Sequence, residues 1–235
     1  MYELYYWPTI QGRGEFVRLA LEQAGAPYRD VARTDEGEEL LMREMERASW
    51  PPFAPPYLKD GEVIVGQTAA ILLYLGPKLG LAPADEAGRL WTHQIQLTLA
   101  DLVAEAHDSH HPVGVGLYYE DQKPEALRRA KEFREARIPK FFDWLEDVLE
   151  KSGGEWLVGV ALTYADLSAF QVVEGLSYAF PETTSAALVA RPKLKSLAGR
   201  VRALPNIAAY LASDRRIAFN EQGIFRRYPE LDAPA

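Results

Sequence analysis

The segment from Pro55 to Leu75 constrains the fold of this chain more than any other stretch. Its sequence, PPYLKDGEVIVGQTAAILLYL, places Asp60-Gly61 between two short runs of strand-forming residues. Asp-Gly is a strong signal for a two-residue hairpin turn, and the residues from Val63 to Val65 form a β-branched return strand. From Ala69 onward apolar residues recur at helical spacing, and Thr68 is the predicted N-cap. The segment therefore predicts a hairpin whose second strand leads directly into a helix.

The start of that helix is suited to an anion, because the first backbone N–H groups of a helix have no partner within it. The pattern alone leaves two interpretations open. One is an anion site at Gln67 and Thr68, and the other is an ordinary ββα unit without a ligand.

The complete segment resembles part of the cytosolic glutathione S-transferases, in which a cis-proline is followed by x-Leu, Asp-Gly and Gln-Ser before a helix. The matching residues, at the same spacing, are Pro56, Leu58, Asp60, Gly61, Gln67 and Thr68. The resemblance extends over nearly the whole chain and is to the tyrosine-type classes, in a bacterial-looking variant. It implies a thioredoxin-like N-terminal domain of α/β type, followed by an all-α C-terminal domain.

The order of predicted elements agrees with that fold. A strand over residues 2–7, a helix over 15–24, a strand over 28–32, and then the hairpin and its helix give the βαβ-ββα order. A further helix is predicted over 34–47. After residue 88 only helical periodicity appears, in residues 89–113, 123–150, 163–179 and 192–212.

Domain boundaries follow from these patterns. The predicted units are a glutathione-binding domain over 1–80, a Gly- and Pro-rich linker over 81–88, an all-helical domain over 89–221 and a loose tail over 222–235. Thr163 and Asp166 form a predicted capping box, which fixes the start of a core helix.

Composition excludes several kinds of function. The chain has 235 residues, a net charge of −8 and no cysteine. The negative charge argues against nucleic acid, which is bound through clustered Lys and Arg. The apolar runs are too short to cross a membrane. The absence of cysteine excludes disulfides, thiolate metal sites and a protein thiol nucleophile, and it fits a reducing cytoplasm.

The resemblance implies a catalytic hydroxyl at the end of the first strand. Glutathione is mostly a thiol near neutral pH, so an enzyme needs a donor that favours the thiolate. Tyr6 matches the family's tyrosine, although one more residue than usual separates it from Gly12. Thr9 and Tyr5 are the alternatives, since other classes use a Ser in this loop. Arg13 matches the family's arginine near the active site.

The glutathione-binding residues are also implied by the resemblance. Gln67 and Thr68 would hold the γ-glutamyl carboxylate, and the residue before cis-Pro56 would pair its backbone with the cysteinyl part. That residue is Pro55, which has no N–H to donate. Asp101 would reach the γ-glutamyl amine across a dimer interface. Arg47 or Arg43 would reach the glycyl carboxylate.

The second-substrate pocket is assigned to Trp7, His107, His111 and Tyr118. The spacing of His107, His110 and His111 also matches that of metal ligands on one helix face. The pocket is the preferred interpretation, and we predict no metal.

The expected function is transfer of the thiol of glutathione, as co-substrate, to a small hydrophobic electrophile. A homodimer in the cytoplasm is implied, without nucleic-acid or membrane partners. Two alternatives stay open at this point. One is a glutathione-dependent peroxidase or thiol-exchange enzyme, and the other is a non-catalytic binding or scaffold protein on the same fold.

Overall fold

The N-terminal part of the chain forms a four-stranded sheet with helices on both faces. In the computed structural model, which describes residues 1–153 and 155–233, the strands follow the order β2-β1-β3-β4. Strand β1 is parallel to β2 and antiparallel to β3, which pairs antiparallel with β4. The strands are β1 (Tyr2–Tyr5), β2 (Tyr28–Asp30), β3 (Tyr57–Asp60) and β4 (Val63–Gly66), and the helices are α1 (Gly14–Gln23), α2 (Gly37–Arg47) and α3 (Thr68–Lys78).

The two faces of the sheet bury different side chains, because successive residues of a strand point to opposite sides. Leu4 and Leu58 pack against α1 and α3, in a cluster that includes Val17 and Ile71. On the other face, Tyr5 stacks on a tyrosine of β3 with ring centroids 4.4 Å apart, next to the residues under α2. The predicted thioredoxin-like arrangement is confirmed, with both faces of its sheet covered.

Two details of the hairpin and helix differ from the prediction. The turn consists of Gly61 and Glu62, since Asp60 still pairs with Val63 as a strand residue. The predicted N-cap at Thr68 is wrong by one position. Gln67 is the cap, and Thr68 is the first helical residue. The cause is the backbone of Gln67, whose φ of 65° is left-handed and turns the chain one residue earlier.

The remainder of the chain is helical. Its helices are α4 (Glu86–Asp108), α5 (Lys123–Glu132), α6 (Ile138–Ser152), α7 (Tyr164–Ala179), α8 (Pro181–Val189), α9 (Pro192–Ala203), α10 (Pro205–Leu211) and α11 (Pro229–Asp232). The sequence patterns predicted most of these, but they missed α8 and α11. Across residues 1–153 and 155–233, none of the helices combines the length and apolar character that crossing a membrane requires.

The capping box at the start of α7 is confirmed. The Asp166 carboxylate accepts hydrogen bonds from the Thr163 backbone N–H at 2.7 Å and from the Thr163 hydroxyl at 2.8 Å. Its other oxygen accepts the backbone N–H of Leu157 at 2.8 Å. One buried carboxylate thus fixes both the helix start and the loop before it.

The two halves of the chain share one hydrophobic core. Phe16 and Leu19 of α1 and Leu72 of α3 belong to the same buried cluster as the inner faces of α4, α6 and α7. The connection from α3 to α4 is also anchored, because the carbonyl of Leu81 accepts the Tyr164 N–H at 2.9 Å. Helix α4 begins at Glu86, within the predicted linker over 81–88. The domain boundaries themselves stay a prediction.

The prediction of a loose tail is wrong for residues 222–233. Ile224, Phe225 and Leu231 are buried. Asp232 accepts the N–H of Glu182 at 2.8 Å and the hydroxyl of Thr183 at 2.6 Å, at the start of α8. Residues 234 and 235 lie outside the described part of the chain.

Candidate active site

Tyr6 follows β1 directly and lies under the turn that begins α1. Its side chain is 4% exposed, and its hydroxyl accepts the backbone N–H of Arg13 at 2.9 Å. The turn passes so close that a Cβ at Gly12 would lie 2.1 Å from the Tyr6 hydroxyl, and one at Gly14 would lie 2.5 Å from the ring. Two glycines therefore allow the tyrosine ring to fit beneath the helix start.

The hydroxyl of Tyr6 is held in the protonated state. Burial raises the pKa of Tyr6, and this outweighs the hydrogen bond from Arg13 and the charges of Arg13 and Arg18, which act in the opposite direction. The oxygen already accepts a hydrogen bond, so the O–H proton is available for a different acceptor. The group is suited to donate a hydrogen bond to an anion and poorly suited to act as a base.

We expect Gly12→Ala to lower the free energy of unfolding by about 3 kcal/mol, because a new methyl group would overlap the Tyr6 hydroxyl at a left-handed backbone position. Gly61→Ala is the matched control. Gly61 is also left-handed, with φ of 61°, but a Cβ there meets no atom within 4 Å. Urea unfolding of both variants measures the difference. Equal losses in the free energy of unfolding would show that Gly12→Ala acts through backbone strain alone and not through overlap with Tyr6.

The N-terminus of α3 lies beside the same turn. The hydroxyl of Thr68 donates to the carbonyl of Arg13 at 3.3 Å. Arg13 therefore contacts Tyr6 through its N–H and Thr68 through its carbonyl. The helix begins immediately after the left-handed Gln67, so its first N–H groups point away from the helix and are available to an anion.

A cavity of about 290 Å³ opens at this helix start, between α1, α3 and α4. Its polar lining consists of Arg13, Gln67, Thr68, His93 and Gln96. Phe16, Leu97 and Val103 supply apolar walls. The cavity combines a helix N-terminus, a guanidinium and neutral polar groups, so it is suited to a small charged group with apolar flanks.

The two alternatives to Tyr6 lie in different surroundings. Tyr5 belongs to the cluster under α2, on the opposite face of the sheet, and burial raises the pKa of Tyr5 to about 12. Thr9 is exposed in the loop between β1 and α1, and its carbonyl accepts Asn220 Nδ2 at 2.8 Å. Of the three hydroxyl groups, only that of Tyr6 bonds to the α1 turn.

The other predicted glutathione residues are placed as follows. The peptide bond between Pro55 and Pro56 is cis, as the resemblance implied, and Pro56 is buried immediately before β3. Arg47 is exposed at the last residue of α2. Asp101 is exposed on α4 and does not line the cavity at Thr68.

Three histidines at the end of α4 form a contact cluster. His110 Nε2 lies 2.7 Å from the carbonyl of Ile224, so this nitrogen carries the proton. His110 Nδ1 is then the acceptor for His111 Nδ1 at 2.5 Å. The ring of His107 lies 5.0 Å from that of His110 and 5.4 Å from that of His111. Among the residues that the structure describes, no three or more His, Cys, Asp or Glu side chains are grouped to hold a metal ion.

The cluster is neutral at physiological pH. Burial lowers the pKa of His110 to about 3 and that of His107 to about 4, and the charge of Arg226 adds to the effect on both. The charge of Arg13 also lowers the pKa of His107.

The four residues assigned to the second-substrate pocket are not brought together. His107 and His111 contact each other, whereas Trp7 is 37% and Tyr118 79% exposed. In the described part of the chain, no ring contact joins either of these two to the histidines. Tyr118 instead caps the turn at Tyr119, its N–H donating to Asp121 at 3.2 Å.

We expect His110→Gln to flatten the acid dependence of stability. The pKa of a histidine in the unfolded chain is about 6.5. Below that pH the histidine is protonated in the unfolded state, whereas His110 in the folded state stays neutral, so the unfolded state is favoured. Stability from neutral His110 is present above pH 6.5 and is lost as the pH falls toward 3. Glutamine keeps a donor for the carbonyl of Ile224 and does not titrate. Urea unfolding between pH 7 and pH 5 should show a loss smaller by about 2 kcal/mol in the variant, and parallel slopes would contradict the assignment.

A buried polar network under the site was not predicted from the sequence. Glu15 and Arg18 of α1 are fully buried and paired at 3.3 Å, and Arg18 Nε also contacts Asp30 at 2.7 Å. The Tyr210 hydroxyl donates to Glu15 at 2.8 Å, and Arg216 pairs with the same carboxylate. Charged residues on the inner face of an otherwise apolar α1 were the signal that could have revealed it.

The network continues into the segment after α10, which covers the loop before α1. Gln171 of α7 donates to Gln11 Oε1 at 2.8 Å, and Gln11 Nε2 donates to the carbonyl of Ile217 at 2.5 Å. Asn220 holds the carbonyl of Thr9. The C-terminal segment thus fixes the loop that carries Tyr6 and its longer connection to Gly12.

Known proteins share the sequence and the fold. The sequence profile "Glutathione S-transferase, C-terminal domain" matches residues 107–214. "Glutathione S-transferase 1" of Ascaris suum is 31% identical over 220 residues, which cover 90% of this chain and 95% of that protein. The class-mu 26 kDa isozyme 1 glutathione S-transferase of Fasciola hepatica is 27% identical, with 99% and 96% coverage. The crystal structure of the glutathione S-transferase from Ascaris lumbricoides superposes with a TM-score of 0.69 and 28% identity, over 90% of this chain and 96% of that one.

Proposed function

Because the chain belongs to the glutathione S-transferase family, we propose that Tyr6 and the N-terminus of α3 form the site at which it binds glutathione and activates the thiol. The chain is a glutathione transferase, and its reaction joins the sulfur of glutathione to an electrophile. The assignment of residues to steps is the proposal.

The position of Arg13 is the observation that carries the proposal. Its N–H contacts the Tyr6 hydroxyl at 2.9 Å, and its carbonyl accepts the Thr68 hydroxyl at 3.3 Å. A single residue therefore links the group proposed for the sulfur to the group proposed for the γ-glutamyl carboxylate. This link supports a fixed distance between the two sites, which is required if glutathione is held at both its sulfur and its γ-glutamyl carboxylate.

Tyr6 would act on the sulfur as a hydrogen-bond donor. The thiol loses its proton to solvent, and the O–H of Tyr6 stabilises the thiolate that remains. Because burial raises the pKa of Tyr6, the tyrosine keeps its own proton while it donates. The thiolate then attacks the electrophile, and a leaving group departs with the bonding electrons or, in an addition, the product takes up a proton.

The γ-glutamyl carboxylate would bind at the start of α3. The free N–H groups there and the Arg13 guanidinium are donors on the cavity wall, and the Thr68 hydroxyl, which donates to the Arg13 carbonyl, holds Arg13 beside them. The cysteinyl part would lie along Pro55. Only the carbonyl of Pro55 is available there, so a water or the N–H of Ala54 would supply the second hydrogen bond.

We also propose a homodimer in the cytoplasm that acts on a small hydrophobic electrophile. The absence of cysteine in the sequence is consistent with this compartment. From the predicted second-substrate set we propose His107, on whose ring the charge of Arg13 acts, and Trp7, which directly follows Tyr6. Arg47 stays the proposed partner of the glycyl carboxylate.

Calorimetry with glutathione, together with a conjugation assay on a dinitrochlorobenzene, tests the proposal. We expect binding below millimolar concentration and formation of the thioether product. Thr68→Val removes the hydroxyl at constant shape and should weaken glutathione binding by about tenfold. Thr98→Val on α4 is the control, since the Thr98 hydroxyl bonds only within its own helix. Absence of binding at millimolar glutathione would contradict the proposal.

A further inference from the structure

Gln11 is a buried residue of the loop between β1 and α1, and both ends of its carboxamide are hydrogen-bonded. The residue is 4% exposed. Its Oε1 accepts Nε2 of Gln171 at 2.8 Å, and its Nε2 donates to the carbonyl of Ile217 at 2.5 Å. The main-chain carbonyl of Gln11 accepts the N–H of Glu15 at 3.0 Å, in the first turn of α1. One residue therefore joins the loop to α1, to α7 and to the segment after α10.

The directions of the side-chain bonds follow from the groups at the two ends of the chain. A guanidinium can only donate, and Arg216 Nη2 donates to Gln171 Oε1 at 3.1 Å. Gln171 must then present its NH₂ group to Gln11. Gln11 in turn presents its own NH₂ group to the carbonyl of Ile217, which can only accept. Neither carboxamide can turn over without losing the hydrogen bonds at both of its ends.

Gln171 gives this chain of bonds a fixed anchor. Its side chain is fully buried on α7, and both of its neighbours in the sequence are buried as well. The start of the same helix is held by the capping box of Thr163 and Asp166. A side chain on a packed helix keeps its position more precisely than one on a loop. Gln171 can therefore determine where Gln11 lies.

Gly12 follows Gln11 and lies directly against the hydroxyl of Tyr6. A Cβ at Gly12 would overlap that oxygen, so the turn cannot move closer to it. The bonds of Gln11 fix the residue immediately before, and the N–H of Arg13 then reaches the Tyr6 hydroxyl at 2.9 Å. A hydroxyl that accepts a hydrogen bond is polarised and becomes a better donor. The position of the Arg13 N–H thus affects how strongly Tyr6 donates to a further acceptor.

We propose that Gln171 is a positioning residue for the activation of the glutathione thiol. Through Gln11 it holds the turn of Gly12 and Arg13 against Tyr6, in the position from which the Tyr6 hydroxyl donates to the sulfur. The inference rests on the proposed function and adds to it a contribution of the helical half of the chain. Gln171 does not line the cavity at the start of α3. Its effect should therefore appear in the acidity of the bound thiol and not in the binding of the protonated peptide.

Titration of the glutathione thiol in the complex, followed by thiolate absorbance, tests the inference on the full chain. In Gln171→Leu the bound thiol should titrate about 0.5–1 pH unit above that of the wild-type complex, because Tyr6 stabilises the thiolate less. Calorimetry at pH 5, where the bound thiol is protonated, should give the same glutathione affinity within about twofold. At pH 6.5 the conjugation rate should fall by about three- to tenfold, and this loss should shrink as the pH rises.

Further variants separate positioning from stability. Gln11→Leu should raise the titration pH by the same amount, and the double variant by no more than either single one, because both changes break the same chain of bonds. Gln171→Glu keeps the acceptor for Arg216 but removes the donor to Gln11, so it should raise the titration pH as well. Gln122→Leu is the control. Gln122 is also fully buried, and its carboxamide holds the loop over residues 113–118, so its replacement should reduce stability without moving the thiol titration.

Three outcomes would overturn the inference. They are a thiol in Gln171→Leu that titrates as in the wild type, an equal shift in Gln122→Leu, and shifts that add in the double variant. If Gln171→Leu does not fold, Gln171→Glu decides by the same titration. A wild-type complex with an acidic thiol and unshifted Gln171 variants contradicts only the positioning role and leaves the transferase proposal intact. A wild-type complex that titrates like free glutathione contradicts both.

Discussion

Replacement of Tyr6 by Phe is expected to lower kcat/KM for conjugation by about 10- to 100-fold, because the lost hydrogen bond to a charged sulfur is worth about 1.5–3 kcal/mol. The ring should remain in place, since it fills the space under Gly12 and Gly14. Glutathione affinity should therefore change by less than about threefold. Steady-state kinetics with a dinitrochlorobenzene and calorimetry with glutathione measure the two quantities separately.

Tyr5→Phe is the matched control for this variant. The same atom is removed one residue earlier, on the face of the sheet that packs under α2. We expect its conjugation rate to equal that of the wild type. Wild-type rates in Tyr6→Phe would mean that Thr9 or a backbone N–H, and not Tyr6, donates the hydrogen bond to the sulfur. A low rate in Thr9→Ala would then identify the Thr9 hydroxyl as the donor.

Asp166→Ala is expected to lower the free energy of unfolding by about 3–5 kcal/mol, because it leaves three buried donors without an acceptor. These are the N–H of Leu157 and the N–H and hydroxyl of Thr163. Burial raises the pKa of Asp166 to about 6, against the effect of its hydrogen bonds. Urea unfolding above pH 7, where the carboxylate is ionised, measures the loss.

Asp85→Ala provides the comparison. Asp85 caps α4 through a bond to the Gly88 N–H at 2.7 Å, but the residue is exposed. Loss of an exposed cap is expected to reduce the free energy of unfolding by about 1 kcal/mol. Similar losses in the two variants would show that the Asp166 carboxylate contributes only as a helix cap and not as the centre of a buried network.

Local sequence patterns predicted the parts of the fold whose partners are near in the chain. The hairpin from Tyr57 to Gly66, the helix predicted over 15–24 and the capping box at Thr163 each depend on residues a few positions apart. The errors at Asp60 and Thr68 are shifts of one residue. They arose because left-handed residues, Gly61 and Gln67, set the ends of these elements.

Local sequence patterns could not predict contacts between residues that are far apart in the chain. Glu15 meets Tyr210 and Arg216 across about two hundred positions, and nothing in either local sequence specifies the other. The tail was misjudged for the same reason. Phe225 occupies the space that Gly175 leaves open on α7, since a Cβ there would lie 2.2 Å from the ring. Complementarity of that kind appears only when the helices are assembled.

The same distinction between local patterns and long-range contacts applies to the residues of the candidate site. Tyr6, Gln67 and Thr68 could be named from motif spacing, and the structure places all three around Arg13. The burial of Gln96 on α4 had no sequence signal, because a glutamine in an amphipathic helix is usually a surface residue.

Titration of the glutathione thiol in the enzyme complex tests the central claim most directly. Because the protein contains no cysteine, all thiolate absorbance between pH 5 and pH 9 belongs to glutathione. We predict that the bound thiol titrates about two pH units below the free peptide, equivalent to roughly 2.7 kcal/mol of thiolate stabilisation, and that Tyr6→Phe removes most of this shift. A bound thiol that titrates at the pH of free glutathione would contradict the account.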